Sequence, residues 1–136
     1  MQTKGIDAKT TSGLHDEELT GEIIAAAIEV HKQLGPGLLE SAYETCLAHE
    51  LMLRKIDFEK QQSLPVSYKG IELDCGYRMD LVVDKRVVVE LKCVDKVLPV
   101  HQAQLLTYLR LADLKVGLIL NFHAERLMDG FRRMVL

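Results

Sequence analysis

Helical spacing at the start of the chain, period-two alternation in its middle and a return to helical spacing after Pro99 predict an α+β fold. The order reads ααβββαββ, a mixed central sheet flanked by helices. The first helix is expected over about residues 18–34, where Leu19, Ile23, Ala27, Val30 and Leu34 share one face and Gly35-Pro36-Gly37 stops it. A second helix is expected over about residues 38–55, with Leu39, Ala42, Tyr43, Cys46, Leu47, Glu50, Leu51 and Arg54 on one broad stripe, so the two should form a hairpin. From Phe58 the texture changes. Val66, Tyr68, Ile71 and Leu73 around a Lys69-Gly70 turn, followed by residues 77–83 and 87–93, read as a meander of about three strands. Pro99 suits the first turn of a third helix that runs through Leu105 and Leu109 to Ala112. Residues 115–122 are short and apolar enough for a buried strand, and residues 126–136 predict a last edge strand broken at Gly130.

With 136 residues, 48% of them hydrophobic, the chain suits one domain over residues 18–136, burying roughly two thirds of the surface that its unfolded form exposes. Residues 1–17 have no apolar period and are expected to be a flexible tail, too polar for a signal peptide. No apolar stretch approaches the ~20 residues of a membrane span, so a soluble protein without a membrane partner is expected. Cys46, Cys75 and Cys93 are odd in number, far apart and form no C-x-x-C. That argues against a disulfide framework and a thiolate zinc site, and suits a reducing cytoplasm. The formal charge of −3 lacks the basic balance of a protein that neutralises duplex phosphates. Acids gathered around a metal lower the net charge without weakening a basic rim, for which Lys92, Lys96, Arg110, Arg126, Arg132 and Arg133 are available.

The strand pair at residues 77–83 and 87–93 carries the chemistry. Tyr77, Met79, Leu81 and Val83 alternate with Arg78, Asp80 and Val82, while Val87, Val89, Leu91 and Cys93 share a face. Joining the apolar rows across a hairpin sets Val83 against Val87 and Leu81 against Val89, with Asp84, Lys85 and Arg86 as a three-residue loop. That register brings Asp80 opposite Glu90, with Cβ atoms ~5 Å apart and Lys92 ~7 Å further along the same face. One divalent ion could then touch both carboxylates. A two-residue loop would send them to opposite faces, so the hairpin length is decisive. The plainer reading of E-x-K is a solvated face in a chain that is 27% charged. Against it, Val82 and Val88 share the charged face, as in a strand buried on both sides.

Other residues fit around this pair. Glu40 falls in the first turn of the second helix, where the helix dipole alone accounts for an acid; its functional reading is a third carboxylate aimed toward Asp80 and Glu90. Gly37 would allow the tight approach that aims it. Gln104 and Tyr108 lie one i,i+4 step apart on the third helix, along a stripe with His101 and Leu105. They read either as a partly exposed helix edge or as a pair in which Gln104 orients a carboxylate, a water or a phosphate while Tyr108 braces it. His15, His31, His49, His101 and His123 show no close metal-ligand spacing, and no dinucleotide loop, Walker lysine or nucleophile elbow occurs. Oxygen ligands around Mg²⁺ or Mn²⁺ remain.

With Gly37, Glu40 and Tyr43 followed in order by Asp80, Glu90-Leu91-Lys92 and Gln104-Leu-Leu-Thr-Tyr108, the chain resembles the GxxExxY protein family. That family is a branch of the PD-(D/E)XK nuclease superfamily with RecB-like motifs, and the likeness runs from about Leu19 to the C-terminus. The resemblance implies a restriction-endonuclease-like core and a Mg²⁺ or Mn²⁺ ion held by Asp80 and Glu90. It also implies that Glu40 and the carbonyl of Leu91 are further ligands and that Lys92 positions or activates the attacking water. Gln104 and Tyr108 match the Q-x-x-x-Y helix. Met79 stands where the superfamily name has proline. The implied partner is DNA or RNA and the implied activity a metal-dependent nuclease. The alternatives are an inactive module of the same fold that binds nucleic acid or a protein, and a homodimer assembled through an exposed edge strand at residues 126–136.

Overall fold

The structure, a computed structural model, describes the backbone of residues 4–136 and the side chains of residues 16–136. Helix α1 spans Lys4–Leu34 and α2 spans Glu40–Leu53. The end of α1 falls at the predicted glycine-proline stop, where Gly35 takes φ 67° and Gly37 φ 106°. Its start is earlier than the apolar spacing predicts. No proline interrupts residues 4–17, so once the turns from Leu19 onward are packed the helix can propagate toward the N-terminus without a new nucleation step. Of the tail expected over residues 1–17, residues 1–3 lie outside the described residues and the backbone from Lys4 is helical.

Seven strands follow: β1 Phe58–Ser63, β2 Val66–Tyr68, β3 Ile71–Leu73, β4 Arg78–Val83, β5 Val87–Lys92, then helix α3 Pro99–Ala112, β6 Val116–Asn121, a 3-10 turn Leu127–Gly130 and β7 Phe131–Val135. The main sheet has the order β1-β4-β5-β6-β7, and β2-β3 is a separate two-stranded ribbon. Within the main sheet the order ααβββαββ holds. Its first strand is not the expected segment at residues 66–73, which folds on itself around Lys69-Gly70 as the small ribbon. That place belongs to β1, whose sequence Phe-Glu-Lys-Gln-Gln-Ser is half-buried at Phe58 and exposed at the other five positions. Its extended form comes from pairing with β4, not from an alternating pattern.

β5 and β6 run parallel, connected through α3, while the other neighbours in the main sheet are antiparallel, so the sheet is mixed. Both faces are covered. Leu81, Val83, Val87, Val89, Leu91, Leu118 and Leu120 pack against α1 and α2. Val82, Val88 and Ile119 pack under Leu105, Tyr108 and Leu109 of α3. Burial on two sides explains why β5 and β6 read as nearly continuous apolar runs. Met79 departs from the predicted alternation by joining the α3-side cluster with Val82 and Val88. The regular β4-β5 pairing has stopped by then, which frees the chain to turn. Among the described residues no helix is long and apolar enough to cross a membrane.

Candidate active site

The hairpin joining β4 and β5 has the predicted length. Leu81, Val82 and Val83 pair with Val89, Val88 and Val87. Asp84 and Lys85 take left-handed backbone, φ 51° and 56°, to close the loop. One step beyond Leu81-Val89 the backbone ladder gives way to carboxylates. The Asp80 N–H donates to Glu90 Oε2 at 2.9 Å, and the Leu91 N–H donates to Asp80 Oδ2 at 2.9 Å. Each acid thus holds a backbone donor of the other strand. Two side chains that should repel are fixed in place by the groups around them, at the point where the strands separate.

The repulsion remains visible in the protonation equilibria. Burial, with Asp80 as the next cause, pushes the Glu90 carboxyl from an ordinary value near 4.5 up to about 8, against the opposing pull of the Asp80 N–H and Lys92. Glu40, in the first turn of α2, is also raised, first by burial and then by Asp80, with Lys92 opposing. One helical turn further on, Glu44 is raised by the same two causes. The structure therefore brings Glu40, Asp80, Glu90 and Lys92 into one electrostatic neighbourhood and adds Glu44. Its i,i+4 spacing from Glu40 was the available signal in the sequence.

Local packing explains the aim of Glu40. Tyr43 is fully buried, stacks on Phe122 at 4.7 Å between ring centroids, and its hydroxyl donates to the Gly35 carbonyl while accepting the Leu38 N–H. The loop of residues 35–38 that leads into α2, with Gly37 in the left-handed region, is thereby stapled to the core. On α3 the Gln104 amide donates to the Tyr108 hydroxyl at 3.2 Å, and Tyr108 is buried while Gln104 is exposed. The pKa of the Tyr108 hydroxyl is raised by burial, then by Glu90, Tyr77 and Asp80, so Tyr108 feels the charge of the acids. Tyr77, at 6.3 Å and edge-on to Tyr108, joins them.

Asn121 was absent from the residues the sequence singled out. It lies beside Lys92 in the β5-β6 register, is buried, and its side chain bonds both the N–H and the carbonyl of Val94 and accepts the His123 N–H. It anchors the chain leaving Lys92. A lone polar residue at a strand end gives no signal of such a clasp. Of the basic residues named above, Arg132 and Arg133 lie on β7, at the opposite sheet edge from β1 and separated from β4 by β5 and β6.

A mixed sheet of this order, with an acid pair and a lysine where its central hairpin opens, defines a nuclease-type α+β core. A family model described as the PD-(D/E)XK nuclease superfamily matches residues 17–134, and the chain belongs to that superfamily. Comparison with curated proteins and with solved structures returned no match.

Nucleases of this superfamily generally use divalent metals. Among the described residues no group of three or more His, Cys, Asp or Glu side chains stands ready to hold an ion. The oxygen donors nonetheless suit a hard cation. Mg²⁺ is commonly held by one or two carboxylates, with water and substrate phosphate completing its shell. Asp80 and Glu90 would supply such a pair, and burial followed by the neighbouring Asp80 charge raises the Glu40, Glu44 and Glu90 carboxyls, so a cation there would favour their ionised forms.

Proposed function

We propose that the protein is a divalent-metal-dependent nuclease that hydrolyses phosphodiester bonds of DNA or RNA, with Asp80 and Glu90 as its central metal ligands. The observation that carries this reading is the reciprocal bonding of those two acids to each other's strands, which holds both carboxylates at one point despite their repulsion. A bound Mg²⁺ or Mn²⁺ supplies charge neutralisation at the scissile phosphate and acidifies a water molecule. The carbonyl of Leu91 and the carboxylate of Glu40 complete the protein's donor set. Lys92, at the end of β5, positions the attacking water and stabilises charge that develops on it. Gln104 orients a carboxylate or a substrate phosphate, with Tyr108 bracing its amide. Tyr43 and Gly37 support the site by fixing the loop from which Glu40 projects.

Labelled single- and double-stranded DNA and RNA, incubated with Mn²⁺ and the wild type, Asp80→Asn or Lys92→Ala, test the reading. Cleavage by the wild type is expected, with each variant slower by roughly 10²–10³-fold, as when one charge-stabilising group is removed from a preorganised site. The substrate cleaved tells DNA from RNA. Equal behaviour of all three proteins would eliminate the enzyme and leave a module that binds nucleic acid or a protein partner.

A further inference from the structure

β1 pairs with β4 in one continuous register from Phe58-Val83 to Ser63-Arg78, yet the position where Gln61 faces Asp80 is skipped. Gln61 there takes φ 51°, in the left-handed region that an L side chain enters only at a cost. Lys60 pairs with Leu81 and Gln62 with Met79 on either side, so no residue is inserted, and the break falls where β4 itself changes face, with Leu81 on the α1-α2 side and Met79 on the α3 side. Its side chain shows what accompanies the strain. The carboxamide nitrogen donates to Glu44 Oε1 at 2.9 Å and, more weakly, to Asp80 Oδ1 at 3.4 Å. Strained backbone that persists beside a cluster of chemically active groups is a recognised mark of function.

A carboxamide suits this place. It offers two N–H donors from one nitrogen, one for each acid, and carries no positive charge that would compete with a cation. Asp80 is held from both sides, through Oδ2 by the Leu91 N–H and through Oδ1 by Gln61. We propose that Gln61 is a positioning residue for the metal site, its left-handed backbone holding the carboxamide between Glu44 and Asp80 so that the Asp80 carboxylate keeps the position an ion requires. This rests on the metal-site reading above.

Calorimetric titration of Mn²⁺ into the full chain, with metal-free thermal melts, compares the wild type with Gln61→Gly and Gln61→Asn. Glycine and asparagine both tolerate left-handed backbone, so either variant can keep the strand path. Glycine has no amide, and the asparagine amide is one methylene short of spanning the two acids. Both variants are expected to melt at or near the wild-type temperature and to bind Mn²⁺ roughly 10-fold or more weakly, the usual loss when a group that orients metal ligands is removed. Affinities within about twofold of the wild type overturn the proposal and leave Gln61 as a strand kink. So does a large drop in the melting temperature of both variants, which makes the bridge a fold contact. A wild type that binds no Mn²⁺ overturns the metal-site reading itself, an outcome distinct from equal binding by all three proteins.

Discussion

Glu90 sits under the clearest electrostatic tension among the described side chains. Its carboxyl is pushed up to about 8, chiefly because burial disfavours the ion. The folded value lies above the unfolded one, so its contribution to stability is fully present below pH ~4.5 and is lost as pH rises through about 8. Glu40 and Glu44 shift in the same direction and deepen the loss. The metal-free protein should therefore melt at progressively lower temperature between pH 5 and pH 8.5, and Glu90→Gln, a neutral isostere, should flatten that decline. Thermal melts across this range check it, and a flat wild-type profile contradicts it. Tyr43 supplies a second test at this scale. Tyr43→Phe keeps the stack on Phe122 but leaves the Gly35 carbonyl and Leu38 N–H without the hydroxyl, a loss of about 1–2 kcal/mol in urea unfolding.

At the scale of elements, the site depends on how α3 and the end of β5 are seated. A Cβ added at Gly117 of β6 would lie 2.8 Å from Leu105 Cδ1, so the glycine lets α3 lie close to the sheet. Gly117→Val should cost about 1–3 kcal/mol by overpacking and displace Gln104 and Tyr108 with the helix, which denaturant unfolding and the tyrosine near-ultraviolet circular dichroism would register. Asn121→Ala removes three hydrogen bonds of a buried side chain, two to Val94 and one to His123. A loss of about 2–3 kcal/mol is expected, read from the same unfolding curves.

For the whole molecule, helices cover both faces of the sheet, and the acids stand where β4 and β5 separate, so an ion held there would be coupled to the fold. A cation that binds only the folded state at 100 times its dissociation constant contributes ~2.7 kcal/mol. In a domain of this size that raises the melting temperature by roughly 8 °C. Melts with and without millimolar Mn²⁺ should show such a rise in the wild type and a smaller one in Asp80→Asn. No rise in the wild type would count against a cation site.

The hairpin register, the stop after α1, the span of α3 and the two-sided burial of β5 were legible in the sequence, because each rests on local periodicity or on glycine and proline chemistry. The acid pair could be read in advance for the same reason: one loop length and a period of two place Asp80 beside Glu90. β1 was not legible, because a polar edge strand has no pattern of its own and becomes extended only when β4 pairs with it. Glu44 was within reach through its i,i+4 spacing from Glu40, whereas Gln61, Tyr77 and Asn121 reach their neighbours across the fold, from an edge strand, a strand start and a strand end. Their positions depend on contacts between residues distant in the chain, which no local pattern encodes and only tertiary packing could decide.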